Sequence, residues 1–494
     1  MTLGNKMSEE KKEKYQFTNL DNKLIKEVPD RIILKSLTRW NDAYKEFPRF
    51  VMEYLVARYV DPENPITGQS KIDRILTENW VDSTEKELIK SRIKEKGVYN
   101  LLGMVQVRLD ASKDHYWVNV PAIGESTVRV TRNILVEHGD SLLAGGAWGT
   151  CTIEYDSNYK IASRIYPFVM TAFKPFQITR VSLDDYIEKR KLFTIEEWID
   201  LLMNTIGFDP AQYSLRQKLL YILRLVPFVE KNYNCIELGP KETGKTYTYR
   251  NTSSRSFVIS GGSTTPATLF YHKALRRLGI IGQRDVVYFD EIGRTRFADA
   301  DATVNILKDY MQTGQFSRGD QEFTSAASIV LAGNIEIESE GSSPKPSERY
   351  PHWFAVLPPE INADTAFLDR LHAYIPGWEF SKVKKEKYAK GFGFMTDYFA
   401  EILKRLREKP AQTIVAAKVD FSGETSRNQD SIQKTTAGLI KLIFPHRNID
   451  DIQNEEMTLC LGLAIEARQI IYDQMVIISP GEYKERSLIA EIKN

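Results

Sequence analysis

Apolar residues recur three and four positions apart in FPRFVMEYLVARYV (47–60) and again in KELIKSRIKEK (86–96). That period predicts helices from Leu20 to about Gly97. Near Val98 the period changes. VYNLLGMVQVRLD, YWVNVPAI, TVRVTRNILV and WGTCTIEYD alternate and carry many Val, Ile, Tyr and Trp residues, which predicts strands. The segments ASKDH, EHGD and DSNYK read as the turns between them. About five short strands predict a small barrel or sandwich, and an OB-like barrel is one such fold. The strands alone fit a ligand-binding barrel and a purely structural one equally. Helical periodicity returns with FTIEEWIDLLMNTIG and SLRQKLLYILRLVPFV. From about Asn234 to Pro376 apolar strands alternate with helices, the signature of an α/β layer. Beyond Glu379 the pattern is mostly helical. The expected organisation is multidomain α/β: a disordered tail over 1–16, a helical region over 17–97, a β-rich domain over 98–190, an α/β core over 191–382 and a helical lid over 383–494.

Composition narrows the classes. The chain has 494 residues, 67 Lys+Arg and 66 Asp+Glu, so bulk charge does not make it a polybasic nucleic-acid binder. A basic channel on a balanced surface stays open. Cys151, Cys235 and Cys460 are far apart and show no metal-ligand spacing, which fits a reducing compartment. The first residues, MTLGNKMSEEKKEKYQ, lack the apolar stretch of a signal peptide. No apolar run approaches the ~18 residues that span a bilayer. A cytoplasmic protein without a membrane partner is expected.

The sharpest chemical signal is NCIELGPKETGKTYTY. A short apolar strand leads into Gly239, Pro240, Lys241, Glu242, Thr243, Gly244, Lys245 and Thr246, followed by Tyr247, and matches G-x-x-x-x-G-K-[ST]. Glycines there let backbone amides turn toward phosphate oxygens, and the following helix offers them its positive end. Lys245 is expected on the β- and γ-phosphates of ATP and Thr246 on Mg²⁺. Downstream, RDVVYFDEIGR places Asp290 and Glu291 at the end of an apolar run. Alone this is an ordinary strand end. After a phosphate loop it predicts Asp290 as a Mg²⁺ ligand through water and Glu291 as the group that activates the attacking water. SIVLAGNI ends in Asn334, expected between the two motif strands and near the γ-phosphate. In TAFLDRLHAYIPGW, Arg370 is expected to complete a neighbour's site in trans.

These four elements, in this order, resemble the AAA+ ATPases, among them the Lon and MCM branches. ELGPKETGKTY, YFDEIGR, LAGN and FLDRLHAYIPGW together look like the BrxL family, the Lon-related ATPases of bacterial BREX anti-phage systems. LDNKLIKEVPDRIILKSLT, FVMEYLVARY, RIKEKGVYNLLGMVQVRL and FTIEEWIDLLMNTIGFDP resemble that family's N-terminal stretches, so the likeness runs from about residue 18 to the end of the lid. The resemblance implies a ring ATPase with an N-terminal DNA-binding region, a hexamer or stacked double hexamer around double-stranded DNA, and other BREX components as partners. Longer family members carry a Lon-type protease domain. Here no D-G-x-S-A-G serine context occurs, so proteolysis is not expected. In MCM-like ATPases a hairpin at the position of GQFSRGDQEF points into the ring pore, which implies a DNA-binding loop with Arg318 on phosphates and Phe316 bracing it. Arg427, opening a long amphipathic helix, is the candidate lid arginine for the γ-phosphate of its own subunit. The cations of the β-rich domain (Arg108, Lys113, Arg129, Arg132, Lys160 and Arg164) show no evident stripe. The reading is a DNA-encircling AAA+ ring ATPase of BREX defence. Its rivals are a Lon-like unfoldase or protease acting on polypeptides, and a scaffold in which ATP only locks the ring.

Overall fold

The apolar strands of the middle region are short and uniformly buried, which is the mark of a parallel sheet covered on both faces. CIEL (Cys235–Leu238), SIVLAG (Ser328–Gly333) and AYIP (Ala373–Pro376) have no exposed position. In the computed structural model they lie in one five-stranded sheet. Its order is Ser256–Thr264, Val286–Phe297, Ser328–Gly333, Cys235–Leu238 and Ala373–Pro376. All neighbours in it are parallel. Residues 16–38, 47–61, 65–81, 84–110, 114–144, 146–161, 163–176, 181–273, 276–318, 321–338 and 344–493 are described. The tail expected over 1–16 lies outside them except for Gln16.

A second β unit precedes the sheet. Val98–Asp110, His115–Val120, Glu125–Val130, Phe168–Pro175 and Ala147–Tyr155 follow one another round a closed barrel. Alternate residues fill its interior, among them Leu101, Val105, Val118, Val128, Cys151, Ile153 and Met170. One expectation fails here. TVRVTRNILV is not a single strand, and EHGD is not a turn. The strand ends at Val130, and Arg132–Ala144 is a helix that contains Gly139. Its buried Ile134 and Leu142 lie on the barrel core, eight residues apart, a helical spacing that the β-branched residues and the glycine disguise.

The chain start joins the far end of the molecule. Ile32–Leu34 pairs antiparallel with Phe392–Phe394, and Leu24, Val28, Ile32 and Leu34 belong to the main core. The helix Arg49–Tyr59 instead enters a separate cluster with Leu102 and Phe176, at the base of the barrel. Between the two clusters Glu53 is fully buried. It accepts from Lys35 Nζ at 2.7 Å, from Arg49 Nε at 2.8 Å and from the Thr396 amide at 2.6 Å. Two opposing cations keep this carboxyl ionised against the cost of its burial. The lid is built of Thr396–Arg407, Gln412–Lys418, Ser426–Ile443 and Asn454–Ile478. Among the described residues no helix is long and apolar enough to cross a membrane.

Candidate active site

The phosphate loop follows from two glycines that nothing else replaces. Gly244 has φ +78°, and a Cβ there would meet the Phe208 ring at 2.8 Å. A Cβ at Gly239 would come within 2.4 Å of the Gly377 backbone, because the loop strand and the Ala373–Pro376 strand run edge to edge. The chain therefore turns tightly from Leu238 into the helix Lys245–Thr252.

Beneath the loop lies a fully buried ion pair. Arg224 holds Glu237, on the loop strand, through Nε at 2.9 Å and Nη2 at 2.6 Å. It also donates to the Thr243 carbonyl at 3.2 Å and stacks on Phe380 at 3.8 Å. Lys245 is 8% exposed. Its Nζ donates to the carbonyls of Gly239 at 3.0 Å and Pro240 at 2.9 Å. Burial lowers its pKa and Glu237 opposes the shift. A desolvated ammonium held by carbonyls alone gains from an anionic partner.

Above the loop the expected residues meet. The Thr246 hydroxyl donates to Asp290 Oδ2 at 2.9 Å. One hydroxyl and one carboxylate form a hard-oxygen pair suited to Mg²⁺, which binds through few protein groups, phosphates and water. Glu291 has φ +50°, its amide donates to Asp290 Oδ1 at 3.1 Å and its carboxylate accepts from Arg294 at 3.1 Å. Asn334 follows the strand that lies between the Asp290 strand and the loop strand. Lys241, Glu242, Thr243, Gly244, Lys245, Thr246, Tyr247, Asp290, Glu291 and Asn334 line one cleft of about 430 Å³.

The sequence reading missed the cleft's apolar wall. Phe208, Val383 and Tyr388 line it too. Phe208 and Tyr388 meet through a backbone bridge, and the Val383 amide donates to the Glu242 carbonyl at 2.7 Å. No local motif marks contacts between segments so far apart. Tyr247 ties the cleft to the N-terminal helix, since Arg49 Nη1 donates to its hydroxyl at 3.4 Å.

Six predicted residues are not among those that line the cleft. Gly239 and Pro240 belong to the loop but reach the cleft through their carbonyls on Lys245 rather than as wall residues. Arg370 is not among the cleft residues of its own chain. It bonds the Ala366 carbonyl, and its buried Nε has no partner among the described residues. Arg427 is not at the cleft either. Its guanidinium is held by Asp369 at 2.6 Å, beside Arg370, and Asp369 also binds the buried Arg468. Arg427 is thus placed on Asp369 rather than among the residues that line its own cleft. On the hairpin Gln315–Arg318 and Gln321–Thr324, Arg318 is part-exposed, but Phe316 is only 2% exposed. Phe316 packs inward against Phe270, Tyr310 and Phe323. Lys113, of the barrel cations, lies outside the described residues.

Comparison with known proteins bears on the whole arrangement. Residues 168–489 match the family described as Lon-like protease BrxL-like, ATPase domain. Residues 27–155 match BREX system Lon protease-like protein BrxL N-terminal. A relative from Escherichia coli O9:H4 (strain HS), named Lon-like protease BrxL, is 35% identical over 461 residues, 92% of this chain and 65% of its own length. One of the same name from Bacillus cereus (strain H3081.97) is 34% identical over 471 residues, 94% of this chain and 68% of its own. The chain thus spans about two thirds of the length of these relatives. With both family regions matched in order and a phosphate-loop cleft at the centre of the second, this chain belongs to the BrxL family.

Proposed function

We propose that this protein is an AAA+ ring ATPase that hydrolyses ATP with Mg²⁺ and encircles double-stranded DNA in BREX anti-phage defence. The observation that carries the ATPase reading is the Thr246–Asp290 contact at 2.9 Å, in a cleft that also holds Lys245, Glu291 and Asn334. Lys245 would take the β- and γ-phosphates, Thr246 and Asp290 the Mg²⁺, and Glu291 would activate water with Asn334 positioning it. The strand order, with the Asn334 strand between the motif strands, supports the AAA+ assignment. Arg370 and Arg427 lie off their own cleft, side by side, and Arg370 keeps an unpartnered Nε. Both fit supply to the cleft of a neighbouring copy, which supports a ring, as a hexamer or a stacked pair of hexamers.

The DNA reading is supported by the barrel, whose strand order and helix between third and fourth strands fit an OB-like fold. The N-terminal family description names the BREX system, which supports the defence setting and its other components as partners. A second reading has one observation in its favour: both relatives are named Lon-like protease. On that reading the substrate is a polypeptide, unfolded or cleaved.

Binding of the purified protein to a long duplex across a salt series separates the two. Affinity that falls steeply with salt is expected of phosphate contacts multiplied round a ring. No binding at low salt with ATPase activity intact would move the assignment to polypeptide.

A further inference from the structure

Two hairpins of the ATPase region, Tyr271–Leu278 and Gln315–Thr324, differ sharply in charge. The segment 315–324, QFSRGDQEFT, sets Arg318 against Asp320 and Glu322. The segment 271–284, YHKALRRLGIIGQR, has Lys273, Arg276, Arg277 and Arg284 and no carboxylate. In a chain whose charges balance, this is a concentrated cationic run. Lys273, Arg276 and Arg277 are exposed, and none of them makes an ion pair among the described residues. Arg276 turns the chain at φ +46°.

The base of this second hairpin is rigid. Tyr271–His272 pairs with Arg277–Leu278. The Gly279 amide closes on the Phe270 carbonyl at 2.6 Å, and a Cβ at Gly279 would strike the Leu269 backbone at 2.4 Å. Phe270 is buried and Tyr271 nearly so. Their rings bind the two hairpins together: Phe270 lies 5.2 Å from Phe316, and Tyr271 lies 4.6 Å from Phe323. Aromatic packing thus joins the base of the cationic hairpin to the hairpin of Arg318.

We propose that the 271–278 hairpin is the principal phosphate-gripping element of this chain, with Lys273, Arg276 and Arg277 on the backbone of duplex DNA and the 315–324 hairpin as its brace. This deepens the DNA reading given above and rests on it. Free cations on a rigid base suit a sequence-independent polyanion, because they have no carboxylate to give up on binding. They do not suit an apolar polypeptide, which offers no phosphate in return.

The test uses the full chain and a long duplex in a salt series. Lys273→Ala/Arg276→Ala/Arg277→Ala is expected to weaken binding at least about tenfold near 0.1 M salt and to flatten the log–log salt slope by roughly 2–3 per chain engaged. ATP hydrolysis without DNA is expected to stay at the level of the unaltered protein. Arg318→Ala is expected to change affinity less. Arg276→Lys/Arg277→Lys, which keeps the charge, is expected to bind like the unaltered protein. If alanine lowers the melting temperature, glutamine at the same three positions decides the matter. Unchanged affinity and slope in a folded triple variant would overturn the hairpin assignment alone. Failure of the unaltered protein to bind duplex DNA at low salt would instead remove the DNA reading, and the assignment with it.

Discussion

The nucleotide cleft and the cationic hairpin treat charge in opposite ways. Around the phosphate loop three ionic groups are held by partners: Arg224 by Glu237, Lys245 by two carbonyls, Asp290 by Thr246. On the hairpin Lys273, Arg276 and Arg277 stand exposed, with no ion pair among the described residues. The difference fits the roles proposed for the two regions. A reaction centre needs dipoles that are already oriented when charge develops. A grip on a moving polymer needs cations that exchange one phosphate for the next at little cost.

The comparison is tested most severely at Glu291. Glu291→Gln keeps the shape of the cleft and its cations, so nucleotide binding is expected to persist. Removing the group that activates water is expected to slow hydrolysis by about 10²–10⁴-fold. Phosphate release and nucleotide binding, measured on the same preparation, check both halves. Turnover within tenfold of the unaltered protein would take the role away from Glu291.

The buried pair beneath the loop gives the next largest effect. Arg224→Met leaves Glu237 as an uncompensated buried charge and is expected to cost about 3–5 kcal/mol in urea unfolding. Arg224→Met/Glu237→Leu removes both charges and is expected to recover most of that loss. If the single and double variants unfold alike, the pair is not what holds the loop. The matching double replacement on the hairpin, Arg276→Ala/Arg277→Ala, breaks no ion pair among the described residues and is expected to leave stability within about 0.5 kcal/mol.

His372 joins the loop strand to the lid and makes the cleft side sensitive to acid. Its Nδ1 accepts the Asn234 amide at 2.9 Å, and its Nε2 lies 3.2 Å from Asp430 Oδ2. A neutral ring with the proton assigned to Nε2 satisfies both. Burial, with Lys434 alongside, lowers its pKa to about 4. The unfolded chain takes up this proton near pH ~6.5, while the folded chain refuses it. The stability is therefore present above about pH 6.5 and is lost as pH falls toward about 4, to the extent of roughly 3 kcal/mol at most. His446, also lowered to about 4, adds in the same direction. Melting curves of the unaltered protein and His372→Asn over this window are expected to converge at low pH. An unchanged pH slope in His372→Asn would assign the acid sensitivity to other groups.

How far each region could be read beforehand follows the same division. Gly239 to Thr246 lie in one unbroken run because a single loop of backbone makes the phosphate cradle. Asp290 lies within the Val286–Phe297 strand and Asn334 just follows the Ser328–Gly333 strand, in the sheet that carries the loop. Chemistry of that kind imposes residues at fixed local spacing. The pairing of Ile32–Leu34 with Phe392–Phe394 has no such trace, since a short apolar run accepts many partners. The helix Arg132–Ala144 was hidden by β-branched residues and Gly139, which mimic a strand and a turn. Arg427 looked like a phosphate sensor because it opens a helix. Only the fold reveals that Asp369 already holds it. The cationic hairpin carries its signal as a missing carboxylate, and no motif search responds to an absence.

The cleft's aromatic wall is where the division sharpens, because it is a part of the reaction centre that no local pattern announced. Phe208 and Tyr388 come together from opposite ends of the ATPase region by a backbone bridge. They stand on the side of the cleft away from Asp290 and Glu291 in chemistry: apolar rings, suited to a nucleobase rather than to phosphate. Tyr388→Ala is expected to remove about 1–1.5 kcal/mol of stacking, hence to raise KM for ATP roughly tenfold. Because the base takes no part in bond breaking, kcat is expected to change little, as for any interaction that binds ground state and transition state alike. Tyr388→Phe keeps the ring and is expected to retain the KM of the unaltered protein. A fall in kcat with KM unchanged would mean that Tyr388 serves the hydrolysis step, and the boundary between base wall and reaction centre would have to be redrawn.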